Sequence, residues 1–152
     1  MTKKQELLLK LDLIKTEHLK WVHYAEAKFK GLDINENLTP VKHTDCACGK
    51  MIAENGQIIY HLKSAHTLMT DHEEFHKIGE DLYHFMQNME KGNLLTKKSV
   101  EKKNREMLRN YAEVLRQLSN NLLRTFDNIN NEINCIDDEK IEAMLTNPDS
   151  ND

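Results

Sequence analysis

Apolar residues recur at alternating intervals of three and four near the start of the chain, through Leu7, Leu11, Ile14, His18, Trp21, Ala25 and Phe29. That period lines one face of a helix, so the spacing predicts a helix over about residues 3–30, closed by Gly31 as its C-terminal cap. His18 falls in line with the core positions. A polar connection follows from Leu32 to Asp45, in which Asn35, Asn37, Thr39 and Pro40 mark irregular backbone, ahead of a short apolar turn around Cys46 to Ala53. The alternation resumes near Gln57 and runs to about Glu90 through Ile58, Leu62, Ala65, Met69, His72, His76, Gly79, Tyr83 and Met86. Gly92 and Asn93 interrupt it. A third long helix begins after Thr96 and carries Met107, Tyr111, Val114, Leu118, Leu122, Thr125 or Phe126, and Ile129 on its apolar face.

The two prolines, Pro40 and Pro148, fall outside the periodic stretches, which are therefore free to be helical throughout. The chain shows no internal repeat. The fold class these patterns predict is all-α, an antiparallel up-and-down bundle of about four helices plus a short helix near the cysteine motif. Its 152 residues suit one domain. Residues 1–130 are read as the bundle. Residues 131–152, rich in Asn and Asp, are read as an acidic, disorder-prone tail whose simplest role is solubility.

Composition narrows the classes of function. With 39% hydrophobic and 30% charged residues and a mean hydropathy of -0.70, the chain reads as soluble, with a narrow core. The leucine-rich start is broken by Lys10, Asp12 and Lys15, far short of the roughly 18 apolar residues of a membrane span. It also lacks the apolar core and small-residue cleavage site of a signal peptide, so the expected compartment is the cytoplasm. A net charge of -4 argues against nucleic-acid binding. The basic stretch through Lys91, Lys97, Lys98, Lys102, Lys103 and Arg105 reads as a solvated loop and helix start. Three cysteines, an odd number, make a disulfide framework improbable and point instead to a metal ligand or a reactive thiol.

Histidine fills a bundle core poorly unless its ring nitrogens are bonded, because burying an unpaired polar group costs about 1–3 kcal/mol. Here three histidines lie in core register, and two of them, His72 and His76, project from one helix face at an i,i+4 spacing. Zn²⁺ takes four nitrogen and sulfur ligands in a tetrahedron, and a bundle can supply them from facing helices plus a nearby thiolate. Cys46, between the two histidine-bearing helices, is the obvious fourth ligand. Cys48 is a competitor two residues away. Asp45 and Asp71 adjoin expected ligands and are candidates for orienting them.

His18-Leu19-Lys20-Trp21, then Cys46-Ala47-Cys48-Gly49-Lys50, then His72-Glu73-Glu74-Phe75-His76 resemble, in order and spacing, the motifs of the chemoreceptor zinc-binding (CZB) domain. The resemblance covers roughly residues 10–125. It implies that His18, Cys46, His72 and His76 bind one zinc ion, that the chain forms a homodimer, and that it serves bacterial signalling, with zinc or an oxidant such as hypochlorous acid as the signal. Met51 stands where the family usually has Trp, and Cys48 where it usually has Phe or Leu, so the packing around the thiolate differs and a second thiol lies close by. The pattern aligns Cys46, rather than Cys48, with the family's ligand.

His72-Glu73-Glu74-Phe75-His76 also matches the H-E-x-x-H string of zinc proteases, whose glutamate is a general base. That match is read as accidental. Glu74 and Lys77 put charge where a protease helix is normally buried, and four protein ligands would leave no open coordination position. A di-iron centre is disfavoured because the inward stripes lack carboxylates. The expected function is therefore a zinc-binding regulatory domain without enzyme activity, in which Cys46 is the redox-sensitive ligand and ligand loss alters helix packing to control a protein partner. The alternative is a metal-free helical adaptor whose histidines are simply hydrogen-bonded.

Overall fold

The computed structural model describes residues 1–32 and 40–146. Six helices make up its regular structure: α1 (Lys3–Phe29), α2 (Ala47–Glu54), α3 (Gly56–Ile59), α4 (Ala65–Gln87), α5 (Lys97–Asn134) and α6 (Asp138–Thr146). The fold is an all-α bundle, as the hydrophobic periods predict. The irregular positions Asn35, Asn37 and Thr39 and the last residues, with Pro148, lie outside the described residues.

Helix α1 begins and ends where local chemistry dictates. Thr2 and Gln5 form a capping box at the start of α1, each side chain accepting from the other's backbone N–H. Its end is a Schellman turn: Leu32 N–H donates to Ala27 O and Gly31 N–H to Lys28 O, with Gly31 at φ 72, a conformation that only glycine takes without cost.

Helix α5 is the spine. It runs antiparallel to α1, as shown by the pairs Lys15–Asp127 (2.8 Å) and Arg116–Glu26 (2.8 Å) and by Lys4 Nζ donating to the carbonyl of Ile136 (2.8 Å). It also runs antiparallel to α4, where Thr125 meets Asp71 (3.2 Å) and Tyr111 meets Phe85 with ring centroids 5.7 Å apart. Lying between two neighbours, α5 buries a broader face than one stripe. Ala112, Leu115 and Ser119 are buried, whereas Val114, expected inside, is 39% exposed. Helix α2 returns the chain along α1, from Cys46 beside His18 to Glu54 beside Lys10, so α1, α2, α4 and α5 alternate in direction.

Two expectations need correction. The predicted continuous helix over 57–90 is broken at Tyr60–Ser64, and α4 ends at Gln87. The break is held from outside its own segment: the Glu132 carboxylate of α5 accepts from the N–H groups of Lys63 (2.6 Å) and Ser64 (3.1 Å) and from Ser64 Oγ (2.6 Å). An anion at a helix N-terminus satisfies donors that the helix itself cannot and meets the positive end of its dipole. Glu132→Ala should therefore lower folding stability by about 1–2 kcal/mol, with Glu132→Gln intermediate. Urea unfolding followed by circular dichroism measures it, and an unchanged midpoint in Glu132→Ala would refute the role.

The second correction concerns the expected tail. Helix α5 continues to Asn134, and α6 folds back against α1 and α3. Ile133 and Ile141 are fully buried, with Ile136, Met144 and Leu145 packed against the same core. Burying two isoleucines contributes about 3–6 kcal/mol, which offsets the charge of a segment that reads as solvated by composition. The basic stretch from Lys91 to Arg105 is exposed, as expected.

Candidate metal centre

The core stripes of α1 and α4 bring three imidazoles together. His18, His72 and His76 have ring centroids 5.2, 5.6 and 4.7 Å apart in the pairs 18–72, 18–76 and 72–76. His18 and His72 are buried, and His76 is half-buried. Cys46 joins them as the N-cap of α2, its Sγ 3.1 Å from His72 Nε2. One ligand atom from each of His18, Cys46, His72 and His76 lies within 4.8 Å of the others, close enough to hold one metal ion.

Two of the rings are oriented by backbone carbonyls. His18 Nδ1 lies 2.9 Å from Ile14 O, and His76 Nδ1 lies 2.7 Å from Val41 O. A carbonyl can only accept, so each Nδ1 carries the proton and each Nε2 presents a lone pair. Both Nε2 atoms are buried without a hydrogen-bond partner. Unsatisfied buried acceptors each cost about 1–3 kcal/mol. A bound cation is the group that would satisfy both at once, so the residues fit a metal.

Electrostatics point the same way. Burial pushes all three histidines below their usual range, His72 to about 3 and His76 to about 4. The neighbouring rings add to the shift at His72, while the Ile14 and Val41 carbonyls oppose it at His18 and His76. The rings are therefore neutral, the form that ligates. Burial raises the Cys46 thiol, opposed by backbone N–H groups at the start of α2, including Gly49 N at 3.4 Å. Those donors and the helix end favour the thiolate once a cation is near.

The Cys46 turn depends on glycine at position 49. A Cβ there would fall on the carbonyl oxygen of His43 and within 2.8 Å of the Thr44 backbone. That same carbonyl lies 3.3 Å from Cys46 Sγ. The close approach of α2's first turn to residues 43–44 thus places the sulfur toward the imidazoles.

The alternative thiol faces elsewhere. Cys48 is fully buried among the core residues, outside the four-residue cluster, and burial drives its thiol far above the usual range. Met51, also buried, packs in the same core. The carboxylates suggested for orienting ligands do otherwise: Asp71 accepts from Thr125 Oγ1, and Asp45 from Thr44 Oγ1. Backbone carbonyls take that part, and they carry no side-chain signal in a sequence. Glu73 is exposed. Sequence reasoning missed His43, whose ring stands edge-on to His72 at 6.2 Å, although its place three residues before Cys46 was a usable signal. Phe126, one of two alternatives for the apolar face of the last helix, and Phe75, inside the histidine motif, flank His18 at 5.9 and 5.3 Å, a contact that periodicity does not specify.

No protein-family model matches the chain, and neither a curated protein nor a solved structure does.

Proposed function

We propose that this protein is a zinc-binding regulatory domain of the CZB kind, holding one structural-type Zn²⁺ through His18, Cys46, His72 and His76. The observation that carries this reading is the pair of buried, partnerless Nε2 atoms of His18 and His76, aimed into the same cluster as His72 and a thiol. Three imidazoles and one thiolate favour zinc among the common divalent ions. A tetrahedral zinc needs ligand atoms about 3.3–3.8 Å apart, so closing the cluster takes roughly one ångström of movement. Four protein ligands fill the shell, which supports a non-catalytic role and leaves Glu73 without a zinc-bound water to activate.

The ligands come from α1, from the N-cap of α2 and from α4, so metal occupancy is coupled to how these elements pack. Cys46, half-buried and at a helix end, is the ligand most easily lost, by protonation or by oxidation. Its loss frees the segment before α2 from the bundle and changes the surface that a signalling partner reads. We place the protein in the cytoplasm. No helix among the described residues is long and apolar enough to cross a membrane. In this reading the protein is a homodimer.

Metal analysis by inductively coupled plasma mass spectrometry, on untagged protein purified without chelator, tests the proposal. We expect about one zinc per chain in the wild type and a clear loss in Cys46→Ser and His76→Ala. A wild type without metal, even after zinc is added back, would refute it and leave a metal-free helical adaptor as the better account.

A further inference from the structure

The cluster is shielded on the side of α5. His18 and His72 are buried, and the rings of Phe75 and Phe126 close off His18. Cys46 and His76 are the half-buried members. His76 also forms part of the wall of an open cavity of about 460 Å³, together with His43, Glu73, Lys77 and Glu80. Three groups in that wall, His43, Glu73 and Glu80, can ligate a cation and do not belong to the cluster, and the first two lie nearest it in sequence or space. His43 stands edge-on to His72, with its own carbonyl against Cys46 Sγ. Glu73 is exposed and lies three residues before His76 on α4, a spacing that puts carboxylate and imidazole on the same side of the helix. Lys42 and Lys77 in the same wall balance Glu73 and Glu80, so net charge does not draw a cation in. What the cavity supplies is specific ligands.

We propose that this cavity is the passage by which the metal ion reaches and leaves the centre, with His43 and Glu73 holding it transiently on the way. This inference rests on the metal-binding reading above. A hydrated divalent ion cannot shed its waters at once without a large desolvation cost. It moves instead by single exchanges, each replacing one water or outer ligand with the next protein ligand. Glu73 and His43 are the outer ligands at the mouth, and His76, Cys46, His72 and His18 take over in turn. The Cys46 thiol proton leaves to solvent as the sulfur takes the ion, so charge and atoms balance. The glutamate of the H-E-x-x-H string thus acquires a role in metal exchange without any hydrolytic chemistry.

Stopped-flow measurement of zinc loading from a zinc buffer, and of zinc release to a chromophoric chelator, tests this on the full chain. Wild type is compared with His43→Ala, Glu73→Gln, the double variant and Glu74→Gln, an exposed neighbour outside the cavity wall. We expect the double variant to slow loading and release alike by about tenfold, with affinity held within about twofold and Glu74→Gln unchanged. Wild-type rates in the double variant would overturn the passage. So would faster release with weakened affinity, which would make these residues resident ligands. A wild type that takes up no zinc would overturn the metal reading itself, and it is read before any variant is made.

Discussion

Taking the metal-free protein from about pH 7 to about pH 5 will remove about 2 kcal/mol of folding stability through His72, and less through the half-buried His76, whose charge water partly screens. Both rings sit in the folded protein far below their ordinary value of 6.5, His72 at about 3 and His76 at about 4, chiefly because burial disfavours the charged form. As the pH falls, the unfolded chain therefore takes up protons before the folded one does. The stability these rings contribute is fully present above 6.5 and is lost as the pH drops through that value toward about 4 and then about 3. At about pH 5 each unfolded ring is mostly protonated while its folded counterpart is not, a difference of about 2 kcal/mol for His72 and a smaller one for His76. His18, lowered by the same cause, acts in the same direction. The Glu6 carboxyl is held below 4.5 by Lys3 and Lys10 and adds its own loss only in more acidic solution. Urea unfolding of chelator-treated protein at the two pH values measures the effect, and His72→Gln should reduce it by about 2 kcal/mol. Equal stability at both pH values would mean that the imidazoles are not held neutral in the core.

How much of this centre was legible in the chain depends on which groups carry it. The three histidines were legible because helical periodicity fixes a residue's face from its own neighbours, and His18, His72 and His76 share the spacing of Leu11, Ile14, Ala65 and Gly79. The sulfur was legible through the order of motifs; its choice over Cys48 rests in the structure on Cys46 Sγ lying 3.1 Å from His72 Nε2 while Cys48 lies in the apolar core. Periodicity fails where a distant group decides. The break between α3 and α4 is made by a carboxylate 68 residues further on, which no local window contains. The face of α5 was misplaced at Val114 because that helix packs on two neighbours, so Ala112, Leu115 and Ser119 are covered as well. Helix α6 was obscured by composition: its acidic residues are exposed, while one fully buried isoleucine anchors it. The carbonyls of Ile14 and Val41 that orient the ligand rings could not be read at all, since every residue except its side chain looks the same to a sequence.

Saturating zinc should raise the melting temperature at neutral pH by roughly 10 °C, and Cys46→Ser should remove most of that increment. An ion that binds only the folded arrangement, at about a thousandfold above its dissociation constant, adds about 4 kcal/mol. For a chain of this length each kcal/mol corresponds to about 2–4 °C. The binding requires the fold because α1, the start of α2 and α4 must all be in place for the four ligand atoms to converge. A hydroxyl replaces a thiolate poorly on zinc, and losing one of four ligands should weaken binding by about a hundredfold. At the same zinc concentration the ion then adds only about 1.4 kcal/mol. Cys48→Ser is the discriminating control. A hydroxyl in the apolar core around Cys48 lowers the metal-free stability, yet the zinc increment stays whole because Cys48 is not part of the cluster. Differential scanning calorimetry with and without zinc on these three proteins decides the matter. A wild type indifferent to zinc would remove the metal from the account. An increment lost in Cys48→Ser and kept in Cys46→Ser would move the thiolate ligand to the other cysteine, and with it the redox-sensitive position of the proposed switch.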